Sequence, residues 1–393
     1  MKNCDFYERA RMLGHPVENL KRGERIISII EVQSLEELKN FVRTWTIEDG
    51  GELLSSSIGN DDSFEGKLLY KVMAYLYGNE ELTPNEVKWA EAAFPVKIYT
   101  ESAEDRLFKE PTELNTGEVL CVYNFGTVTL ENQAYLYMTN GSLKLTMDNL
   151  VRNGKAPSEH YDFEILGKEG VLGETGAEGS AGDHVNDGKN GNCSSVGVAG
   201  DAGESGEVGK TGGEGKPGLR GGDGIPSMDA EIFISQRITT KQPITVYNCS
   251  GVGGKGGKGG TGGKGSDGGK GGDGATCDCT GSGAGNGGNG GNGGIGGVGG
   301  QGGNGADAAG NVLIYVPAGL IDSVKTYRKE ASPGDGGDGG DGGVGGAGGA
   351  KGTGGKHNSD GEDGKAGSSG GVGNVGPRGS KTGAAAEMKV LPL

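Results

Sequence analysis

Four side chains have types that could do chemistry: Cys193, Cys277, Cys279 and His357. A Cys-x-Cys pair, a third thiol and an imidazole are the ligand types of a tetrahedral zinc site. Two of the same thiols could instead close a disulfide, and unrelated thiols in exposed turns are the plainer alternative. No cofactor is expected, zinc at these four residues being the one candidate. Each of these residues lies in a short stretch, Asn192–Val196, Ala275–Thr280 or Lys356–Asp360, where a regular glycine spacing lapses. The stretches also hold Asn192, Ser194, Ser195, Thr276, Asp278, Thr280, Asn358 and Asp360, whose hydroxyl, amide and carboxylate groups suit contact with a ligand. Catalytic constellations are missing. The chain has His15, His160, His184 and His357, and it lacks a Gly-x-Ser-x-Gly elbow, a Walker loop, a His-Glu-x-x-His helix and an EF-hand loop. No enzyme is expected. Calcium β-roll patterns appear only as fragments, at Gly221-Gly-Asp-Gly and Gly271-Gly-Asp-Gly.

The elements that must position these stretches are made of glycine. Of 393 residues 87 are Gly, most of them after residue 166. Gly recurs at every third position from Gly167 to Gly224 with few interruptions, then at Gly251–Gly305 and Gly334–Gly383. Three residues make one turn of a left-handed polyproline II helix, and Gly along one face lets another backbone approach closely. If each lapse is a turn, each block is a hairpin of two such helices. At ~3.1 Å per residue an arm would span roughly 70–85 Å. The expectation is about six arms, with the three turns together at the far end. Gly-x-x offers one contact face and Gly-Gly-x two, so the second block and the start of the third should be central and the first block outside. The third face carries stripes of Lys255, Lys258, Lys264 and Lys270, of Asp335, Asp338 and Asp341, and of uncharged Asn286, Asn289 and Asn292. Opposed Lys and Asp stripes would set the register between arms.

Before residue 167 the composition is that of an ordinary globular protein. Ser34 to Glu37 reads as a capping box ahead of Leu35, Leu38, Phe41 and Val42. Phe64–Tyr77 repeats the helical period through Leu68, Leu69, Val72, Met73 and Leu76, and Thr83-Pro84-Asn85-Glu86 opens a third helix. A helical domain over 1–110 is predicted, with Trp45, Trp89, Tyr70, Tyr75 and Tyr77 as core or rim residues. From Val119 the period changes to two, and short strands punctuated by Phe125-Gly126 and Asn140-Gly141 are predicted over 118–166. They suit a β-layer, either a meander or the coils of a β-solenoid. Strand islands at 229–249, 311–328 and 387–393 should continue that layer. The glycine hairpins at 167–228, 250–310 and 329–386 would be excursions from it.

A net charge of −16 argues against nucleic acid and anionic membranes as partners. Six Cys are too few and scattered for a disulfide scaffold. No apolar run reaches a membrane span, and the N-terminus has no signal-peptide core. The expectation is synthesis in a cytoplasm without a leader, followed by action outside the cell as part of a particle or after release.

The period-three glycine arms with variable turns resemble the distal tip adhesins of T-even-like phage long tail fibres. The resemblance covers about residues 167–383 and rests on the repeat. It implies a polyglycine II sandwich whose turns bind a cell-surface glycan or protein, with self-association or attachment through the N-terminal domain. Snow-flea antifreeze proteins are similar in architecture, but the Lys and Asp stripes argue against an ice-binding face. A collagen-like segment and a disordered linker are the alternatives to packed hairpins. A leaderless toxin of insecticidal type acting on host membranes, or a structural spacer, are the alternatives to an adhesin.

Overall fold

The computed structural model describes residues 4–45, 68, 71–72, 75–76, 81–114, 116–118, 120–194 and 198–393. The expected residues Leu69, Tyr70, Met73, Tyr77, Val119, Ser195 and Val196 lie outside this set, as does the Trp45 side chain. The protein is mostly β-sheet with few helices. Helix α1 (Phe6–Met12) starts in a capping box in which Asp5 and Glu8 each bond the other's backbone N–H. It is followed by α2 (Val17–Leu20), strand β1 (Ile26–Val32) and α3 (Leu35–Trp45). Ser34 Oγ accepts the Glu37 N–H at 3.2 Å, as its spacing predicts. The Thr83–Glu86 capping box opens α4 (Pro84–Glu91).

The chain then alternates between two sheets. Strands β2 (Val96–Phe108), β4 (Leu120–Asn132), β6 (Ser142–Gly154), β8 (Ala230–Thr239), β12 (Val312–Val316) and β14 (Met388–Pro392) lie in that order in a mixed seven-stranded sheet. They are mutually parallel, and β1 adds to β2 antiparallel at one edge. Strands β3 (Thr112–Glu113), β5 (Leu136–Thr139), β7 (Phe163–Leu166), β9 (Ile244–Cys249) and β13 (Val324–Lys329) form a parallel five-stranded sheet. Equal steps join the first coils: Ile98 pairs with Leu120 and Leu120 with Ser142. The inward rungs run in register, for example Tyr123, Leu145, Ile232, Ile314 and Val390. With Phe125, Met138 and Phe163 they fill the space between the sheets, all but Val390 fully buried.

Two sequence expectations change here. The segment expected to be wholly helical contributes β1 and β2. Strand β2 was hidden because its outward Thr100 and Ser102 are polar yet buried, hydrogen-bonded to His15 at 3.2 and 2.8 Å. Burial pushes the His15 imidazole below its usual pKa. Gly126 does not end a strand either. β4 runs through it, and the glycine is needed because a Cβ there would stand 2.4 Å from the Glu104 carbonyl. On the outer face of the large sheet, Ile98, Leu120 and Val122 pack against Leu35, Leu38, Val42 and Leu76 of the helical segments. Arg9 reaches across the same face to Asn124 and Asp148 at 2.8 and 2.7 Å.

The three glycine blocks leave from one corner of this winding. Each departs after a strand of the small sheet (β7, β9, β13) and returns into a strand of the large one (β8, β12, β14). Consecutive coils are hydrogen-bonded neighbours, so the blocks emerge side by side.

Candidate functional site

The blocks divide into outgoing arms 1 (167–191), 3 (251–275) and 5 (331–355) and returning arms 2 (200–225), 4 (282–305) and 6 (361–383). None carries helix or strand bonds of its own apart from single residues at the ends. Their backbone groups pair between arms instead, with donors at every third residue of arms 1, 5 and 6 and at two of every three in arms 2, 3 and 4. Arm 3 receives from arm 1 (Gly173 N–H to Lys255 O, 2.9 Å) and from arm 4 (Gly300 N–H to Gly257 O, 2.8 Å). It donates to arm 2 (Gly257 N–H to Leu219 O, 2.9 Å) and to arm 5 (Gly256 N–H to Asp335 O, 2.9 Å). Arm 4 similarly touches arms 2, 3, 5 and 6, whereas arm 1 meets only 2 and 3, and arm 6 only 4 and 5. The arms therefore stand in two columns, 1-3-5 and 2-4-6, and the Gly-Gly-x arms of the second block are interior. A Cβ on Gly297 would lie 2.0 Å from the Lys216 carbonyl, and one on Gly260 1.9 Å from that of Ala177. No real Cβ fits there.

Side chains on the free faces add a second ladder that spacing alone did not reveal. Asn286, Asn289 and Asn292 accept the N–H groups of Glu362, Lys365 and Ser368 at 2.8, 2.8 and 2.9 Å. Asp267 and Asp273 do the same for Ala347 and Thr353 at 2.8 and 2.7 Å. These acceptors satisfy N–H groups that the glycine ladder leaves over. Of the charged stripes, Lys255 and Lys258 meet Asp338 and Asp341 across arms at 2.8 and 2.7 Å. The other members behave differently. Lys264 pairs with Asp267 of its own arm at 3.4 Å, and Asp335 pairs with Arg378 at 3.4 Å.

At the far end the turns meet. Cys193 of the first turn is disulfide-bonded to Cys277 of the second. Lys356 of the third donates its backbone N–H to Thr276 Oγ1 at 3.2 Å and its ammonium to the Asp278 carbonyl at 3.0 Å. The second turn is a minimal hairpin, β10 (Thr276–Cys277) against β11 (Thr280–Gly281). Asp278 and His357 adopt left-handed φ values of 55 and 63°, a region in which Asp and His are among the better-tolerated side chains. Asn192 and Asp201 close the first turn through a backbone bond of 3.0 Å.

The expected contact residues sort by what they already do. Thr276, Thr280, Asn358 and Asp360 hold the turns: Thr280 Oγ1 donates to the Cys277 carbonyl, and Asn358 to that of Lys356. Asp360 accepts the Gly354 N–H at 3.0 Å and pairs with Lys351 at 3.1 Å, the backbone bond leading in holding its carboxyl below the usual range. Asn192, Asp278 and His357 are exposed, as are Ser194 and the free thiol Cys279. The zinc expectation is corrected on geometry. The disulfide removes Cys193 and Cys277 as thiolates, and among the described residues no three His, Cys, Asp or Glu are gathered for a metal ion. The pinning alternative is the arrangement present. Among the described residues no helix is long and apolar enough to cross a membrane.

Comparison of the chain with protein-family models, with curated proteins and with solved structures returned no match.

Proposed function

We propose that the protein is a non-enzymatic recognition protein of the adhesin kind. In this reading a β-solenoid carries six polyglycine II helices as three hairpins, and the joined turns contact a cell-surface glycan or protein. One observation carries it. Three turns remote in sequence are tied into a single end surface by Cys193–Cys277 and by Lys356 on the second turn, and that surface displays Asn192, Asp278 and His357. The inter-arm backbone ladder and its period of three support the polyglycine II assignment. A stiff arm lattice holds the turns at fixed separation, which lowers the ordering cost of binding. The helical segments at the opposite part of the chain would serve attachment to a particle or self-association.

The test is binding of labelled full-length protein to a panel of bacterial and animal cells, with and without replacement of the three turns by short glycine-serine turns. Loss or change of the cells recognised is expected, with unfolding still cooperative and its midpoint lowered only by what loss of the Cys193–Cys277 bridge removes. Unchanged binding, or leakage of lipid vesicles by the intact protein regardless of the turns, would move the reading to the toxin alternative.

A further inference from the structure

The outer face of the small sheet carries an aromatic shelf that the tip reading does not use. In-register pairing aligns Glu113, Tyr137, Glu164, Tyr247 and Tyr327 along one outward rung. Tyr161, just ahead of β7, stacks on Tyr247 with ring centroids 4.6 Å apart and planes 5° from parallel, and lies 5.1 Å from Tyr327. Tyr327 is 42% exposed, large for an aromatic on a sheet. His160 continues the shelf by stacking on Tyr135 at 4.4 Å, its Nδ1 3.1 Å from the buried Glu164 carboxylate.

Beside the shelf lies a cavity of about 150 Å³, lined by Arg152, Lys155, His160, Asp162, Gln242 and Thr245 among others. Tyr161 sits between two of these, and Thr245 shares its outward direction on β9 with Tyr247. Arg152 is 4% exposed. Its Nε is 2.8 Å from Asp162 Oδ1, an ion pair without hydrogen-bond geometry, and Nη1 and Nη2 likewise have no hydrogen-bond partner. Asp162 is already engaged, its Oδ2 taking the Thr245 N–H and hydroxyl at 2.9 Å each. A buried guanidinium with its two terminal nitrogens unpaired is rare, because each unmade bond carries a desolvation cost. The planar fork fits a carboxylate. The space exceeds the roughly 30 Å³ share of one water, so an anionic group with part of a ring can enter.

We propose that this shelf and cavity form a second binding site, on the flank of the winding, for a saccharide bearing a carboxylate. The carboxylate seats on the Arg152 terminal nitrogens with Lys155 beside it, and the apolar faces of the sugar rings lie on Tyr161 and Tyr327. Stacked rings could also receive nucleobases, but a chain of net charge −16 repels a polyphosphate backbone. Asp162, the acid lining the cavity, is ion-paired with Arg152, and Glu164 of the shelf is held by the His160 ring and the Tyr161 N–H, so Lys155 supplies the further positive charge an entering anion meets.

The experiment is calorimetric titration of the full-length protein with oligogalacturonate and with its fully methyl-esterified form. The acid form should bind, the ester at least ~10-fold more weakly, and added salt should narrow the gap. Lys155→Ala should weaken the acid form alone, by about 3- to 10-fold. Tyr327→Ala should weaken both forms. These two side chains lie at the surface, so the outcome does not depend on variants of the buried Arg152. Arg152→Lys, if its melting temperature is unchanged, should lose at least ~10-fold because an ammonium lacks the fork. Asp278→Ala at the tip should change nothing, which separates this site from the one proposed above. Equal binding of acid and ester, no binding of either, or poly-glutamate binding as tightly as oligogalacturonate would overturn the proposal. The last result would assign the cavity to an acidic polypeptide.

Discussion

The winding and the arms solve the same problem with opposite parts of the chain. In the winding, side chains such as Leu145, Phe125 and Phe163 point inward and are fully buried. Removing that apolar area from water stabilises by about 25 cal/mol per Å². In the arms the backbone faces inward and the side chains face out: Val171, Val344 and Val372 stand in solvent while Gly257, Gly260 and Gly297 fill the interior. What holds arms together is the inter-arm ladder, each hydrogen bond worth about 1 kcal/mol net. That gain opposes a larger than usual loss of chain entropy on ordering glycine. The lesson is that tolerance to substitution is inverted. Adding atoms is ruinous in the arms, and removing atoms is ruinous in the winding.

The largest effect tests the inversion directly. Gly297→Val in arm 4 should lose more than about 4 kcal/mol or abolish cooperative unfolding, because backbone blocks the new Cβ. Gly371→Val, where nothing lies within 4 Å of a Cβ, should stay within about 1 kcal/mol in the same denaturant titration. Next comes the winding: Leu145→Ala should cost ~2–5 kcal/mol through the cavity it leaves. Cys277→Ser opens a cross-link between residues 84 apart in sequence. It should cost roughly 2–4 kcal/mol, read as a difference between reduced and oxidised protein that vanishes in the variant.

Asp229, where the first returning arm re-enters the large sheet, sharpens the comparison by pH. Burial pushes its carboxyl up to about 7, and its Oδ2 has no partner. The folded state therefore holds the proton more tightly than the unfolded one. Stability should be full near pH 3 and fall as pH rises from about 4 to 7. Asp229→Asn should flatten that slope and raise stability at pH 8 by on the order of 1–3 kcal/mol. The smallest effect belongs to the exposed stripe: Lys258→Ala should leave the unfolding midpoint unmoved, since the pair with Asp341 is solvent-screened.

The period of the glycines made the arms, their turns and the interior place of arms 3 and 4 legible in advance, but not the place of arm 5. Its Gly-Gly-x start was expected in the centre, yet it bonds three arms (3, 4 and 6), as many as arm 2 of the outer block. The capping box at Thr83 was legible from local spacing, and so was the Ser34 cap, although Glu37 returns its carboxylate to the Gln33 N–H rather than to that of Ser34. Strand β2 was not, since Thr100 and Ser102 read as surface residues until His15 folds over them. Nor was the tyrosine shelf. Tyr161, Tyr247 and Tyr327 become neighbours only because two glycine excursions leave and return in register. At the tip, residue type left zinc, a disulfide and unrelated thiols all open. Which thiols pair depended on how arms 1 and 3 align, and the Gly191 N–H to Asp273 O bond sets that alignment two residues before Cys193.

Native-state hydrogen exchange, resolved to the glycine amides of arms 3 and 4, addresses the account most directly. If the arms are one cooperative lattice, Gly257, Gly260, Gly297 and Gly300 should exchange only with global opening, as slowly as Leu145 in β6. Exchange of those amides at free-peptide rates, with β6 still protected, would contradict it and leave the tip without a scaffold.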